Sequence, residues 1–167
     1  MIKPTIGELL SGVATSLRER VLPEIPAGTT RRQIQAAIGI IRRVALVWDK
    51  TGPYLYADNE DIAQTLERML PVLERVAAEE GNERIRVVHT KSRQVLERST
   101  HQPYPSAETL GTRNLELQEV LADMQEALHE SSAVESVDRN ELKAMLYALF
   151  HRMLTRELGI TTPARRP

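Results

Sequence analysis

The sequence predicts an all-α protein, a single-domain bundle of about six helices that run mostly up and down. Apolar residues return every three or four positions along almost the whole chain, as one face of a helix requires. No stretch alternates apolar and polar residues between turn signals, as a half-buried strand would. The 167 residues are 41% hydrophobic and 27% charged, which suits one globular domain. We expect the bundle to occupy residues 1–160 and residues 161–167 to form a flexible C-terminal tail.

The first predicted helix spans residues 4–23 and carries its own start and stop signals. Thr5 and Glu8 have the spacing of a capping box, in which each side chain accepts a hydrogen bond from the other residue's backbone. Pro23 predicts the end of the helix, because the residue before a proline is pushed out of the helical region. Apolar residues recur along this helix at helical spacing and form one stripe, which consists of Ile6, Leu9, Leu10, Val13, Leu17 and Val21.

The second predicted helix begins at Thr29 or Thr30 and ends near Lys50, before a Gly-Pro turn in the segment TGPY. Its apolar positions alternate spacings of four and three residues, as in a seam that faces other helices. They are Ile34, Ile38, Ile41, Ala45 and Trp48.

The third predicted helix begins at Asp58 or Asn59 and ends at Gly81. Pro71 lies inside it, and a proline there removes one backbone hydrogen bond and clashes with the preceding turn. We therefore expect a kink or a break between residues 67 and 71.

Three more helices complete the prediction, over about residues 83–99, 106–130 and 138–159. Asp138 is the predicted N-cap of the sixth helix, and Glu141 completes its capping box. The segments HQPYPSAE and SSAVES are the predicted crossover and linker between these helices.

The amino-acid composition excludes several classes of functional site and partner. Cys is absent, which excludes disulfides, thiolate metal sites and cysteine nucleophiles together. The first residues have no apolar signal segment and no run is long enough to span a membrane, so we expect a cytoplasmic protein. The charge alternates along the chain, with eight basic and four acidic residues in positions 1–50. Because no basic stripe is interleaved with aromatic residues, a nucleic acid is not an expected partner. A membrane is not an expected partner either, because no apolar run is long enough to span one.

Catalytic and metal-binding patterns are incomplete. Glu126 and His129 have the spacing of a carboxylate-bridged di-iron pair, but that chemistry needs a second such pair on another helix. A solvated polar face of the fifth helix explains them more simply. The sequence has no Gly-rich phosphate loop and no Ser marked as activated. We therefore predict no catalytic residue, no metal ion and no cofactor.

The segment from Trp48 to Asp61 is the strongest candidate for a binding site. It holds the only Trp, two of the four Tyr and four carboxylates in what is predicted to be a turn. Aromatic residues with a polar group line small-molecule sites and protein interfaces, and they also close the ends of bundles. All three interpretations stay open. The candidate ligand-binding residues are Trp48, Asp49, Tyr54, Tyr56 and Arg42.

Arg42 belongs to a basic ridge on the second predicted helix. Arg31 and Arg42 are eleven residues apart, which is about three turns, so they lie on one side of the helix. Arg32 and Arg43 form a parallel row. Such a ridge could hold an anionic ligand, or it could be a solvated flank paired with the acidic third helix.

The opening segment resembles the start of an uncharacterised bacterial all-helical domain family. The resemblance is carried by Pro4-Thr5, by Glu8-Leu9-Leu10 and by Val21-Leu22-Pro23. It covers residues 4–25, and residues 35–47 more loosely. Members often occur beside, or fused to, aminoglycoside-phosphotransferase-like kinases and acyl-CoA dehydrogenases, and the family has no established catalytic residues. The resemblance implies an accessory helical domain that works with an enzyme encoded nearby.

Together these observations predict a non-catalytic helical accessory or interaction module, either homodimeric or docked on a partner enzyme. The broad apolar face of the sixth helix, from Leu142 to Leu158, predicts contact with another subunit. The alternative is a small-molecule-binding protein or enzyme with a pocket near Trp48, Tyr54 and Tyr56.

Overall fold

A computed structural model describes residues 4–80, 82–98, 105–130 and 136–161 of the chain. Every regular element in these ranges is helical, which confirms the all-α class. The helices are α1 (Ile6–Ser16), α2 (Thr29–Glu80), α3 (Glu83–Glu97), α4 (Ala107–Glu130) and α5 (Val137–Thr161), and a π-helical turn (Leu17–Val21) and a 3₁₀ turn (Leu22–Glu24) follow α1.

The described ranges thus hold five α-helices where about six were predicted. α5 continues two residues past the predicted end at Gly159. Residues 162–167 of the predicted tail lie outside the described residues, as do residues 101–104 and 131–135 of the two predicted connecting segments.

The chain divides into two compact units. Unit 1 comprises Met1–Pro53 and Leu158–Pro167, and unit 2 comprises Tyr54–Glu157. The first half of α2 therefore belongs to unit 1 and its second half to unit 2.

α1 begins with the predicted capping box, which the structure confirms. Thr5 Oγ1 accepts a hydrogen bond from the backbone N–H of Glu8 at 3.2 Å, and Glu8 Oε2 accepts one from the backbone N–H of Thr5 at 2.8 Å. The Thr5 hydroxyl also donates to Asp49 Oδ2 at 2.9 Å, so the cap ties the start of α1 to α2.

α1 packs on α2 through small residues, and the predicted apolar stripe of α1 is covered only in part. Gly7 and Ala14 are buried, whereas Ile6, Leu9 and Val13 are exposed. The reason is that one neighbouring helix covers only part of an apolar stripe of this width. The buried apolar cluster of unit 1 contains Ala14, Leu22 and Ile38, with Leu17, Ile34 and Ile41 packed beside it.

Replacing Gly7 with Ala is expected to destabilise the protein by about 1–3 kcal/mol, because the site has no room for a methyl group. A Cβ there would lie 2.6 Å from Asp49 Oδ2 and 2.9 Å from the backbone oxygen of Ala45. Thermal unfolding followed by circular dichroism measures the effect.

Gly12 provides the matched control on the same helix. A Cβ at Gly12 would meet no atom within 4 Å. Gly12→Ala is therefore expected to stabilise the helix by about 0.5–1 kcal/mol through propensity alone. Equal melting temperatures for the two alanine variants would show that α1 and α2 do not approach as closely as the structure places them.

α2 is one continuous helix, so the predicted turn after Lys50 and the separate third helix are wrong. The helix continues through Pro53 and through Pro71. Each proline removes one backbone hydrogen bond, and packing against neighbouring helices offsets that loss. Asp58 and Asn59 are not caps, because their side chains bind partners on other helices.

Unit 2 surrounds one apolar core to which α2, α3, α4 and α5 all contribute. Arg75 pairs with Asp138 and Asp61 pairs with Arg152, so α5 runs antiparallel to the second half of α2. The largest fully buried apolar side chains are Ile62, Leu66, Met69, Leu73, Ile85, Leu117, Met124, Leu142 and Leu149.

α5 is capped by Ser136 and not by the predicted Asp138. Ser136 Oγ accepts a hydrogen bond from the backbone N–H of Arg139 at 3.2 Å. The Asp138 carboxylate instead accepts one from Arg75 Nε at 2.9 Å. The charged partner on α2 draws the carboxylate away from the helix terminus.

Candidate functional site

The residues predicted to bind a ligand all lie on α2, in both units. Arg42, Trp48 and Asp49 belong to unit 1, and Tyr54 and Tyr56 belong to unit 2. Trp48 is 51% exposed and Tyr56 is 55% exposed. The turn that was expected to gather them is helical, so that premise is wrong, and a ligand pocket near them stays a prediction.

A buried polar network lies within unit 2, where α2 meets α4. The Asp58 side chain is fully buried, at 0% exposure. Asn114 Nδ2 donates hydrogen bonds to Asp58 Oδ2 at 3.0 Å and to Asn59 Oδ1 at 2.9 Å. Asn59 Nδ2 donates in turn to the backbone oxygen of Leu110 at 2.9 Å, and Gln118 Nε2 donates to Asn114 Oδ1 at 2.8 Å. The amides therefore link the two helices in one connected set.

Two arginines of α5 complete this network. The Arg156 guanidinium donates to Asp58 and, from Nη2, to Asp61 Oδ2 at 2.7 Å. Arg152 donates to Asp61 from Nε at 3.0 Å and from Nη2 at 2.8 Å, which is a two-pronged ion pair. Arg152 Nη2 also donates to Thr65 Oγ1 at 3.1 Å. Two carboxylates thus face two guanidinium groups, and their charges balance.

These contacts shift the pKa values of Asp61 and Tyr54. The hydrogen bond from Arg152 holds the pKa of the Asp61 carboxyl below its usual value, although burial acts in the opposite direction. Burial, together with the carboxylates of Asp58 and Glu157, raises the pKa of the Tyr54 phenol. At neutral pH Asp61 is therefore ionised and Tyr54 is protonated. Neither group has the pKa near neutrality that suits a general acid or base.

The network is satisfied internally, which suits a structural role. Among the described residues, no buried side-chain nitrogen or oxygen lacks a hydrogen-bond partner. A binding or catalytic site needs polar groups that are free to meet a ligand. The sequence did not reveal the network, because Asp58 and Asn59 carry the residue types of a helix cap. One sequence signal for the network was available. Asp58 and Asn59 lie between two apolar helical patterns, one that ends at Trp48 and one that begins at Ile62.

The Glu126 and His129 pair shows no metal-site geometry. The Glu126 carboxylate accepts a hydrogen bond from Arg84 Nη2 at 2.8 Å. Within the described ranges, no group of three or more His, Asp or Glu residues lies together in a way that could hold a metal ion. In the same ranges, no helix is both long and apolar enough to cross a membrane.

Unit 1 presents an apolar surface that stays exposed within the described part of the chain. α1 runs antiparallel to the first half of α2, since Gly7 lies against Ala45 while Ala14 clusters with Ile38. With 3.6 residues per turn, most of the exposed apolar residues of both helices lie to the same side of this contact line. We call this surface the open face, and its residues are Ile6, Leu9, Val13, Ile40, Val44 and Trp48.

The opposite side of the same helix pair is polar. Its residues are Glu8, Ser11 and Thr15 on α1 and Gln35 and Arg42 on α2, with Leu46 as the apolar exception. On the open face, by contrast, Leu9 is 54% exposed and Ile40 is 65% exposed. The exposed apolar residues are therefore concentrated in one patch, which is typical of an interaction site.

α5 carries a second, narrower exposed ridge. Leu142, Leu146 and Leu149 are buried in unit 2, whereas Tyr147 and Leu154 are more than half exposed. The apolar face of α5 is thus wider than its own core requires. Its predicted contact with another subunit stays a prediction.

No family model matches the sequence, and neither does any curated protein or solved structure. The family that residues 4–25 resemble therefore stays a prediction. The function must be inferred from the geometry of the chain itself.

Proposed function

We propose that the chain is a non-catalytic helical interaction module whose open face is covered by another protein surface. The observation that supports this proposal is the open face itself. Among the described residues of unit 1, the buried apolar cluster consists of Ala14, Leu22 and Ile38. Six other apolar residues leave a third or more of their surface exposed on one side of the helix pair. Covering that side would stabilise the complex by about 25 cal/mol for each Å² of apolar surface removed from water.

The described polar residues support the non-catalytic part of the proposal. The buried network around Asp58 is internally satisfied, and its ionised groups are committed to ion pairs between α2 and α5. The antiparallel pairing of α1 with α2, and of α2 with α5, favours the mostly up-and-down arrangement expected of a helical bundle.

Two kinds of partner fit the proposal. One is a second copy of the chain. The other is a partner enzyme of the kinase-like or acyl-CoA dehydrogenase-like classes that the sequence resemblance implies. Either would supply an apolar surface to the open face, in the bacterial cytoplasm where we propose that the protein acts.

The test is the size of the protein in an extract of its native cells. The wild-type chain is expected to elute well above its monomer mass of 18.8 kDa. Ile40→Glu places a charge in the open face and is expected to shift elution to the monomer position. Ile40 is already 65% exposed, so the substitution leaves the folded core intact.

Leu115→Glu is the matched control, because Leu115 is 64% exposed in unit 2. This variant is expected to elute with the wild type. If all three proteins elute as monomers, the interaction function is wrong. A ligand-binding role would leave elution unchanged and would instead alter the fluorescence of Trp48 when the ligand is added.

A further inference from the structure

We infer that Thr51, Gly52 and Pro53 form a hinge in α2, at which unit 1 changes its orientation while unit 2 stays rigid. The boundary between the two units falls inside this continuous helix, after Pro53. The hinge goes beyond the proposed interaction and does not depend on it. Three features support it: the distribution of buried residues along α2, the residue types at the boundary and the second connection between the units.

α2 is anchored on both sides of the boundary but not at the boundary itself. Ile38 is the last buried residue of α2 in unit 1, and Asp58 is the first in unit 2. Residues 39–57 are all described, and none of them is buried. From Asp58 to Ala77, by contrast, a buried residue recurs at least every three positions. Because packing supplies most of the stability of helices in proteins, the segment without buried residues is the part of α2 that bends most easily.

The three residues at the boundary weaken the helix at the same place. Pro53 has no N–H to donate to the carbonyl group four residues earlier. Thr51 Oγ1 donates to the backbone oxygen of Val47 at 2.9 Å, a contact that often bends helices. A Cβ at Gly52 would meet no atom within 4 Å, so packing does not require a glycine there. Its effect is to lower the helix propensity of the segment.

Pro71 shows that a proline alone does not make a hinge. It lies on the same helix and is exposed, as Pro53 is. Its neighbours Met69, Val72 and Leu73 are buried in the core of unit 2, and this packing holds the helix in place. The packing that offsets the missing hydrogen bond is much thinner around Pro53, where the neighbouring residues are half-buried or exposed.

The second connection between the units carries a glycine as well. α5 passes from unit 2 to unit 1 between Glu157 and Leu158. Arg156 binds Asp58 just before this point, and Gly159 follows just after it. A Cβ at Gly159 would also meet no atom within 4 Å. Because a stiff second helix would oppose bending of the first, a hinge needs a position in each connection that absorbs backbone changes.

The first experiment measures the spread of distances between the units by pulsed electron paramagnetic resonance of spin labels. The chain has no Cys, so labels attach only at introduced cysteines. Ser11→Cys/Arg86→Cys carries one label in each unit, and Arg86→Cys/Ala144→Cys carries both in unit 2, all at exposed positions. Dilution with unlabelled protein removes distances between copies. The distribution between the units is expected to be about twofold wider than the distribution within unit 2. Equal widths would overturn the inference.

Gly52→Ala/Pro53→Ala tests the position of the hinge. Alanine restores the missing N–H and raises the helix propensity. This double substitution is expected to narrow the distribution between the units to about the width found within unit 2. Pro71→Ala is the matched control, because it removes an exposed proline from the packed part of the same helix, and the width is expected to stay unchanged. A distribution that stays wide in Gly52→Ala/Pro53→Ala, or narrows equally in Pro71→Ala, would show that the hinge is not at this position.

The second experiment measures amide hydrogen exchange along α2 in the purified full-length chain. Amides of residues 54–57 are expected to exchange about 10-fold faster than those of residues 65–73, because local opening is easiest where few residues are buried. Gly52→Ala/Pro53→Ala is expected to slow exchange at residues 54–57 and to leave residues 65–73 unchanged. Equal protection of both segments in the wild type would show that α2 is held as firmly at the boundary as in the core, and would contradict the hinge.

Discussion

Arg156→Met is expected to lower the free energy of unfolding by about 3–5 kcal/mol, because it leaves a buried carboxylate without its charged partner. The Asp58 side chain is 0% exposed, and the Arg156 guanidinium is its cationic partner. Without the guanidinium, Asp58 retains the hydrogen bond from the neutral Asn114 amide, at 3.0 Å. Urea unfolding followed by circular dichroism measures the loss.

A double substitution distinguishes the cost of an unpaired buried charge from the cost of lost side-chain packing. In Asp58→Asn/Arg156→Met both charges are removed, so the interior no longer holds an unpaired ion. Replacing both members of a buried ion pair costs far less than removing one of them. We expect the double variant to be more stable than Arg156→Met alone, with a coupling energy of about 2 kcal/mol between the sites. Additive effects would show that Arg156 contributes mainly through its hydrocarbon chain.

Arg93→Met is the surface control for this comparison. Arg93 pairs with Glu97 on α3 at 3.0 Å, and both side chains are more than 60% exposed. Exposed ion pairs contribute about 0–1 kcal/mol. A loss of the same size in Arg93→Met and Arg156→Met would contradict the idea that burial of Asp58 causes the effect.

The parts of the fold that depend on local sequence were predictable. The capping box of Thr5 and Glu8 involves residues three positions apart, and it forms as expected. The inward residues of α3 were also identified, because Ile85, Val88 and Val95 follow the helical period and are buried. In each case the sequence signal lies within one helix.

The continuity of α2 was not predictable from local signals. Pro53 and Pro71 are the strongest helix-breaking residues in that part of the chain, and Asp58 has the residue type of a cap. The decisive partners, Asn114 and Arg156, lie 56 and 98 residues along the chain from Asp58. Local propensity is a weak prior when such tertiary contacts are available.

The open face shows a second limit of prediction from the sequence. Periodicity identified Ile6, Leu9 and Val13 as one apolar stripe, but a period does not reveal which neighbour covers the stripe. The structure supplies that information, since Gly7 and Ala14 occupy the contact with α2 and the stripe stays exposed. The candidate interaction surface was therefore visible in the sequence as a pattern, and only its exposure had to come from the structure.

Leu117→Ala is expected to destabilise the protein by about 2–5 kcal/mol, because it removes buried methyl groups and leaves a cavity in unit 2. Leu117 is 0% exposed in the core shared by α2, α3, α4 and α5. Leu115 stands two residues earlier on α4 and is 64% exposed. Leu115→Ala makes the same chemical change with the same helix propensity, so its expected effect is within about 0.5 kcal/mol of zero.

Urea unfolding of the two alanine variants at one protein concentration measures the difference directly. Neither Leu115 nor Leu117 belongs to the open face, so both variants keep the association state of the wild type and the effect of concentration on stability is shared. The difference between them therefore reports the packing of α4 in unit 2. Variants of equal stability would mean that α4 does not bury Leu117, and the inward face assigned to that helix would have to be changed.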